Sequence, residues 1–232
     1  MPSDWLLFVD TNILLVFYRQ GESATRWLRL LEKHKDSLIT SEQIRMELMK
    51  HRQRVIVENL KSLSKPFDTQ IPPILQDYQP AKMLSKHTAD AVKQWEKIKS
   101  KIESILANSS QSDPVYRVLG RIFNHSSNYI LGRRNKVRFR IRALARKRFI
   151  LGYPPRKNND TSIGDAINWE WIVWCALQTN SHILIVSRDS DYGLSYNGEA
   201  FLNGWLSREF KERVSRKRKI ELTNKLTVAL RR

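Results

Sequence analysis

Hydrophobic and polar residues alternate over the first 50 positions in a way that predicts strands and helices in turn. Residues 5–9 form a continuous apolar run, which is typical of a strand buried on both faces of a parallel sheet. A helical pattern follows at 23–31, and a short strand pattern at 37–40. Thr40 and Gln43 then have the spacing of a capping box, which predicts the start of a second helix.

The last third of the chain repeats this alternation. Ser162 and Asp165 have the spacing of a helix start, and the positions that follow are apolar nearly all round, which predicts a buried helix. Residues 182–186 predict another buried strand. We therefore predict an α/β fold with a central parallel sheet. Asp10 and Asp189 follow predicted strands, at the sheet edge where ligands bind in such folds.

The middle of the chain has a different pattern. It is mostly amphipathic and helical, with long charged helices predicted at about 83–107 and 115–150 and a polar loop between them. We interpret it as a mainly helical insertion into a single domain. The predicted parts of this domain, 1–232, are a core at about 1–50 and 160–205, an insertion at about 51–159, and a basic C-terminal segment at 206–232.

The amino-acid composition narrows the range of possible functions. The chain has 41 Lys and Arg against 23 Asp and Glu, a formal net charge of +18, which favours a polyanionic partner such as nucleic acid. No run approaches the roughly 20 apolar residues of a membrane span, and the N-terminus lacks the basic leader of a signal peptide. The only cysteine, Cys175, excludes an internal disulfide. We expect a cytoplasmic protein without a membrane partner.

Five acids are candidate metal ligands: Asp10, Glu47, Asp165, Asp189 and Asp191. Taken singly, each is explained equally well as a helix cap, a turn residue or an exposed helical carboxylate. Jointly they end parallel strands or lie on helices that approach the same edge of the sheet. Gathered carboxylates repel one another unless a cation binds them, and Mg²⁺ or Mn²⁺ prefers oxygen ligands. The sequence thus predicts a Mg²⁺ or Mn²⁺ site, with the first four acids catalytic.

Polar neighbours of these acids are predicted to support them. Glu170 lies about 140° around the helix from Asp165, so we exclude it from the site. Asn168, three residues after Asp165, is better placed. The predicted supporting residues are Thr11, Asn12, Asn168 and Ser187.

A basic stripe covers 133–157, with eleven Lys and Arg and no acid. A run of charge is often only a solvated helix face, but the absence of compensating Glu favours phosphate contacts. Arg156 or Lys157, after the proline pair, is predicted to steady the scissile phosphate. The predicted nucleic-acid ligands are Arg133, Arg134, Arg138, Arg142, Arg146, Arg148, Arg156 and Lys157.

Together these motifs resemble a PIN domain. Asp10-Thr11-Asn12 after a strand, Glu47 on an early helix and Ser187-Arg188-Asp189 after a later strand match the family's order of motifs. The stretch 152–157, which leads to Ile163-Gly164-Asp165-Ala166, resembles a PIN-like subgroup with a long insertion. The resemblance covers 1–50 and 150–205. It implies a Rossmann-like three-layer core and a Mg²⁺- or Mn²⁺-dependent nuclease, commonly acting on RNA, with Asp10, Glu47, Asp165 and Asp189 as metal ligands.

The leading hypothesis is therefore a metal-dependent nuclease, most simply an endoribonuclease, that uses metal-activated water. A structure-specific DNA nuclease and a nucleic-acid-binding protein without catalysis stay open as alternatives. A phosphatase acting on small phosphoesters is disfavoured, because the basic stripe exceeds what a small substrate needs. We also keep open an inhibitory or regulatory protein partner, while oligomeric state is undetermined by the sequence.

Overall fold

Five parallel strands form the central sheet of this computed structural model, which describes residues 4–66, 70–155 and 162–231. In spatial order the strands are Ile130–Leu131 (β3), Leu38–Ser41 (β2), Trp5–Val9 (β1), His182–Val186 (β4) and Ile220–Thr223 (β7). A separate antiparallel pair is formed by Gly193–Tyr196 (β5) and Glu199–Leu202 (β6). The predicted α/β fold with a parallel sheet is confirmed.

Helices connect these strands, as parallel pairing requires. They lie at Thr11–Leu14 (α1), Glu22–Lys33 (α2), Glu42–Ser62 (α3), Gln79–Ala107 (α4), Pro114–Phe123 (α5), Val137–Ile150 (α6), Gly164–Thr179 (α7), Gly204–Arg213 (α8) and Leu226–Ala229 (α9). Short 3₁₀ segments lie at Leu15–Tyr18, Lys35–Ser37 and Pro73–Leu75. Within the described ranges, no helix is long and apolar enough to cross a membrane.

The two central strands, β1 and β4, pair along their whole length. Trp5 lies opposite His182 and Val9 opposite Val186. The last four residues of each strand are buried, as expected for a strand covered on both faces. The backbone N–H of Asp10 continues the ladder to the Val186 carbonyl at 3.0 Å. The segments after β1 and β4 therefore leave the sheet side by side.

The outer strands end at the same edge. Thr223 at the end of β7 lies opposite Val186, and Ser41 at the end of β2 lies opposite Leu131 at the end of β3. Because all five strands are parallel, the residues that follow them gather along one carboxyl edge of the sheet.

Helix α7 is the most deeply buried of the helices around the sheet. Its Trp171 is almost fully buried, and the indole N–H donates to the carbonyls of Thr40 and Tyr129 at 3.0 and 3.1 Å. These bonds join α7 to the end of β2 and to the segment before β3. The helix begins at Gly164, whose N–H donates to the Ser162 hydroxyl at 3.2 Å.

The start of α3 differs from the predicted capping box. Thr40 lies inside β2, so it cannot cap a helix that begins at Glu42. The hydroxyl of Ser41 instead accepts from the Ile44 N–H at 3.2 Å. The predicted Thr40–Gln43 pairing was wrong by one residue, because the strand continues through Ser41.

The chain divides into two compact units. One consists of Met1–Arg52 and Val118–Arg232 and contains the sheet; the other is Gln53–Arg117. The second unit includes α4, a helix of 29 residues that begins with a proline in its first turn. Strand β3 and helix α6 belong to the unit that contains the sheet, and so does β7. The assignment of 1–232 to a single domain stays a prediction.

Candidate metal centre

Three carboxylates converge beyond the carboxyl ends of the strands. Asp165 lies in the first turn of α7, and Asp189 and Asp191 lie in the loop after β4. One carboxylate oxygen from each lies within 4.8 Å of the other two, and all three side chains are half-buried. The structure thus brings together two segments that are more than 20 residues apart in the chain.

Asp10 lies beside this group, at the end of β1, and only 5% of it is exposed. It caps α1, where its Oδ1 accepts from the Thr11 N–H at 2.6 Å. Its Oδ2 accepts from the Ser187 hydroxyl at 2.5 Å and from the Asn12 amide at 2.7 Å. These three donors hold the Asp10 carboxylate in one orientation.

Burial raises the pKa of Asp10 from 3.8 to about 6. The Ser187 hydrogen bond opposes this rise, the negative charge of Asp189 adds to it, the Thr11 N–H again opposes it, and Glu47 adds the smallest part. Both nearby carboxylates thus favour the protonated form of Asp10. A cation at this position would reverse that preference.

Glu47 approaches Asp10 from α3. Its Oε2 accepts from the Thr11 hydroxyl at 3.2 Å, and its Oε1 accepts from the Gln43 amide at 2.7 Å. Gly164 permits this placement, because a Cβ there would overlap Glu47 Oε1 and lie 2.7 Å from Gln43 Nε2. The sequence analysis named Gln43 only in a capping box and Gly164 only in a motif, so it missed their contacts with Glu47. The signal for Gly164 was a glycine within a helical pattern, which often has a packing or functional reason.

Tyr192 is a buried neighbour of the acids that the sequence pattern did not single out. It is completely buried, and burial raises the pKa of its phenol well above the usual value. The charges of Asp165, Asp10, Glu47 and Asp189 act in the same direction. Within the described ranges the Tyr192 hydroxyl has no hydrogen-bond partner. The phenol therefore remains neutral.

The donor set fits a hard divalent cation. Asp10, Asp165, Asp189, Asp191 and Glu47 offer carboxylate oxygens only, the ligand type that Mg²⁺ and Mn²⁺ prefer. Like charges at these separations are unfavourable unless a cation lies among them.

Comparison with protein families agrees with this geometry. The model of the PIN domain family matches residues 7–192. The chain belongs to the PIN domain family. No curated protein and no solved structure matches it. The matched range contains all five acids, and PIN domains are typically nucleases that use divalent metal ions.

Polar residues around the PIN acidic cluster connect its segments. Asn12 donates to the Ser187 hydroxyl at 3.3 Å, and its Oδ1 accepts from the Arg188 N–H at the same distance. Ser187 also accepts from the Asp189 N–H at 3.0 Å. Asn168 is fully buried and accepts from Ser41 at 3.0 Å, one step farther from the acids. The structure thus places Thr11, Asn12 and Ser187 against Asp10. Asn168 belongs to α7 and connects this helix to Ser41 at the end of β2.

The basic stripe of this PIN domain lies mainly on α6. Arg133, Arg138 and Arg142 line a cavity of about 180 Å³ that reaches Gln43 and Ile167, the neighbours of Glu47 and Asp165. Arg133 also lies 3.5 Å from a Glu42 oxygen. Arg134 and Arg146 are exposed. The predicted ligands Arg156 and Lys157 lie outside the described residues.

The prediction that Arg148 binds nucleic acid was wrong. Its side chain is only 4% exposed and is therefore not available to a nucleic acid. Its Nε donates to Glu170 at 2.9 Å, and its other nitrogens donate to Glu209 and to the Pro154 carbonyl. Arg213 completes this buried network by pairing with Glu170 and Glu209, at 2.7 Å each. Arg148 follows the buried Ile141 by seven positions, which places it on the packed face of α6. Glu170, excluded from the site by helix geometry, is its partner.

Proposed function

We propose that this PIN domain is a divalent-metal-dependent nuclease that hydrolyses phosphodiester bonds, with RNA as the preferred substrate. One observation carries the proposal: Asp165, Asp189 and Asp191 present carboxylate oxygens within 4.8 Å of one another, beside the buried Asp10. RNA is preferred to DNA because the family that the chain resembles commonly acts on RNA.

The acids would hold one or two Mg²⁺ or Mn²⁺ ions. A cation bound there supplies a water that is activated near neutral pH and stabilises negative charge on the leaving oxygen. Asp10 acts as the central ligand, since three donors set the direction of its oxygens before any ion arrives. Asp165, Asp189 and Asp191 complete the ligand set from two separate segments.

Glu47 has a different role from the aspartates. Gln43 and Thr11 each donate to one of its two oxygens, so the carboxylate is held at the edge of the cluster. From this position we assign it to orient the attacking water and accept its proton, or to add a ligand oxygen.

The arginines of α6 and of the segment before it would bind the phosphates on either side of the reacting one. Arg133, Arg138 and Arg142 already border a cavity that leads to the neighbours of Glu47 and Asp165, and Arg134 and Arg146 extend the exposed charge. Phosphate contacts of this kind make binding fall steeply as salt rises.

Incubation of the purified 232-residue chain with nucleic acids tests the proposal. Labelled single-stranded RNA, structured RNA, single-stranded DNA and duplex DNA are each incubated with Mn²⁺, Mg²⁺ or EDTA. We expect metal-dependent cleavage, fastest on RNA, that is lost in Asp165→Asn and kept in Asp90→Asn. Asp90 is an exposed aspartate on α4, so this control removes the same charge outside the cluster.

Two other results of this experiment would support the alternative functions, a DNA nuclease or a nucleic-acid-binding protein. Faster cleavage of DNA with the same variant dependence would change the substrate to DNA and keep the site. Tight binding of nucleic acid by both variants, with no cleavage in any metal, would contradict the nuclease and support a binding protein.

A further inference from the structure

A second cavity, of about 250 Å³, opens near β4 and β7, on the other side of the acidic cluster. One part of its lining is apolar and aromatic, and the other part is polar or basic. The residues that matter here are Phe17, Trp27, Gln20, Arg188, Asn224 and Lys225. None of these residues belongs to the α6 stripe.

On the β4 side, the lining of the cavity starts at Arg188, which directly precedes Asp189. Arg188 stands between Ser187, which donates to Asp10, and Asp189. Val186 pairs with Thr223, and the Ser187 N–H donates to the Thr223 carbonyl at 3.0 Å. The residues after β7 therefore lie level with those after β4, about 4.8 Å away, one strand spacing.

The two cavities flank the acids in the order set by the sheet. Arg138 and Arg142 face the side of β2 and β3, and Lys225 follows β7. Between them, Asp10 follows β1, and Asp189 and Asp191 follow β4. Four spacings of about 4.8 Å separate β3 from β7, or about 19 Å in total. A strand of nucleic acid lying along this edge would thus meet basic residues on both sides of the acids.

The lining chemistry suits one nucleotide. Phe17 and Trp27 give an apolar, aromatic part for a base, and the guanidinium groups of Arg26 and Arg231 lie over the Trp27 ring at 5.9 and 5.5 Å. The Asn224 amide nitrogen donates to the Ser195 hydroxyl at 3.1 Å, which leaves its second N–H and its oxygen for a base edge. Arg188 and Lys225 are exposed, and within the described ranges neither side chain forms an ion pair, so both can contact phosphate. The volume of this cavity, about 250 Å³, is smaller than the roughly 300 Å³ of the smallest pockets that hold drug-sized ligands.

We propose that this cavity binds one nucleotide of a single-stranded segment, across the scissile phosphate from Arg138 and Arg142. The substrate strand then continues past the cleaved bond in both directions, and cleavage is internal. A base must leave its stack and its pair to reach such a cavity, which selects single-stranded substrate. This inference rests on the proposed nuclease function.

The first test compares a circular single-stranded RNA with a linear RNA of the same sequence. A circle has no ends, so only an enzyme that accepts strand on both sides of the reacting bond can open it. We expect the wild-type protein to open the circle with the same metal dependence as it cleaves the linear RNA. Stepwise loss of terminal nucleotides from the linear RNA, with an intact circle, would overturn the proposal.

The second test uses two lysines at opposite ends of β7. Lys225 follows the carboxyl end, and Lys217 precedes the amino end; both are exposed. Lys225→Glu and Lys217→Glu change the net charge equally. We expect Lys225→Glu to raise KM for the single-stranded RNA about tenfold with a smaller change in kcat, and Lys217→Glu to leave KM within about twofold of wild type.

The outcomes separate this inference from the nuclease itself. If the wild type opens the circle and the two lysine variants have the same KM, the cavity is not a substrate subsite and is left for another occupant, such as a protein segment. If the wild type cleaves no nucleic acid in any metal, the nuclease function fails and this inference fails with it.

Discussion

Ser187 donates its hydroxyl to Oδ2 of Asp10 at 2.5 Å, although 177 positions separate the two residues in the chain. The contact exists because β1 and β4 pair in register, so that the residues after Val9 and Val186 leave the sheet together. It is the main hydrogen bond that opposes the rise in the pKa of Asp10 caused by burial.

Replacing Ser187 with alanine should move the acidic limb of the pH–rate profile toward higher pH. Loss of a hydrogen bond to a charged group costs about 1.5 kcal/mol, which corresponds to a rise of about one unit in the pKa of Asp10. Activity should therefore fall near pH 6 and recover near pH 8. Ser181→Ala, at the amino end of β4, is the control. An unchanged profile for Ser187→Ala would remove its role at Asp10.

Metal-free protein should lose stability as pH rises through about 6, because of Asp10. The folded pKa lies above the unfolded value of 3.8, so the contribution is complete below pH 3.8 and is lost above about 6. The two-unit difference corresponds to at most about 3 kcal/mol. Asp10→Asn cannot ionise and should lack this part of the pH dependence.

Thermal denaturation in EDTA, at about pH 5 and about pH 8, measures this effect. The variant should be the more stable protein at the higher pH, and added Mn²⁺ should raise the Tm of the wild type alone. Equal losses of Tm between the two pH values in both proteins would contradict the assignment to Asp10.

Gly164→Ala should reduce activity without unfolding the protein. The new Cβ would displace the ends of the Glu47 and Gln43 side chains, which are flexible, so the free energy of unfolding should change by less than about 1 kcal/mol. Misplaced Glu47 should lower kcat by about tenfold or more. Gly120→Ala is the matched control, since an added Cβ there meets nothing within 4 Å. Normal kcat in Gly164→Ala would show that the position of Glu47 is not critical.

Arg138→Gln combined with Arg142→Gln should weaken RNA binding and flatten its salt dependence. Loss of two phosphate contacts should reduce the slope of log K against log salt by about 1.4 for a single strand. Binding is measured in the Asp10→Asn background, where RNA stays intact. Lys217→Gln combined with Lys219→Gln removes the same charge at the opposite edge of the sheet. The same slope in both double variants would exclude a specific role for the α6 arginines.

Arg148→Met should destabilise the fold and leave RNA binding by the folded protein unchanged. The substitution removes one cation from Glu170 and Glu209, which keep their pairs with Arg213, and this loss should cost about 3 kcal/mol in the free energy of unfolding. Arg146→Met, at an exposed position, should change stability by less than about 0.5 kcal/mol. Denaturant unfolding measures both, and weaker RNA binding by folded Arg148→Met would restore a binding role.

Local patterns were enough to predict the sheet and the acids that follow its strands. A parallel strand buried on both faces needs a continuous apolar run, so residues 5–9 and 182–186 are legible without any structure. The acids directly after these runs, Asp10 and Asp189, must then lie at one edge. This is why the strand-end part of the candidate site could be predicted.

Other features depend on which face of an element meets its neighbour. Arginines occur almost all round α6, so the pattern did not distinguish the buried Arg148 from the exposed Arg146. The cap at Ser41 depended on where β2 ends, which hydrogen bonds to β3 decide. Tyr192 follows the acids like an ordinary loop residue, and only packing shows that its ring is buried.

The sequence by itself determined the family, the parallel sheet and the strand-end acids, because these follow from residue periodicity and motif order within short segments. Only the tertiary structure decided that Gly164 makes room for Glu47, that Arg148 serves the core, and that a second cavity lies beyond Arg188. These relationships join segments far apart in the chain, and their geometry is set by strand register and helix packing, which no local pattern records.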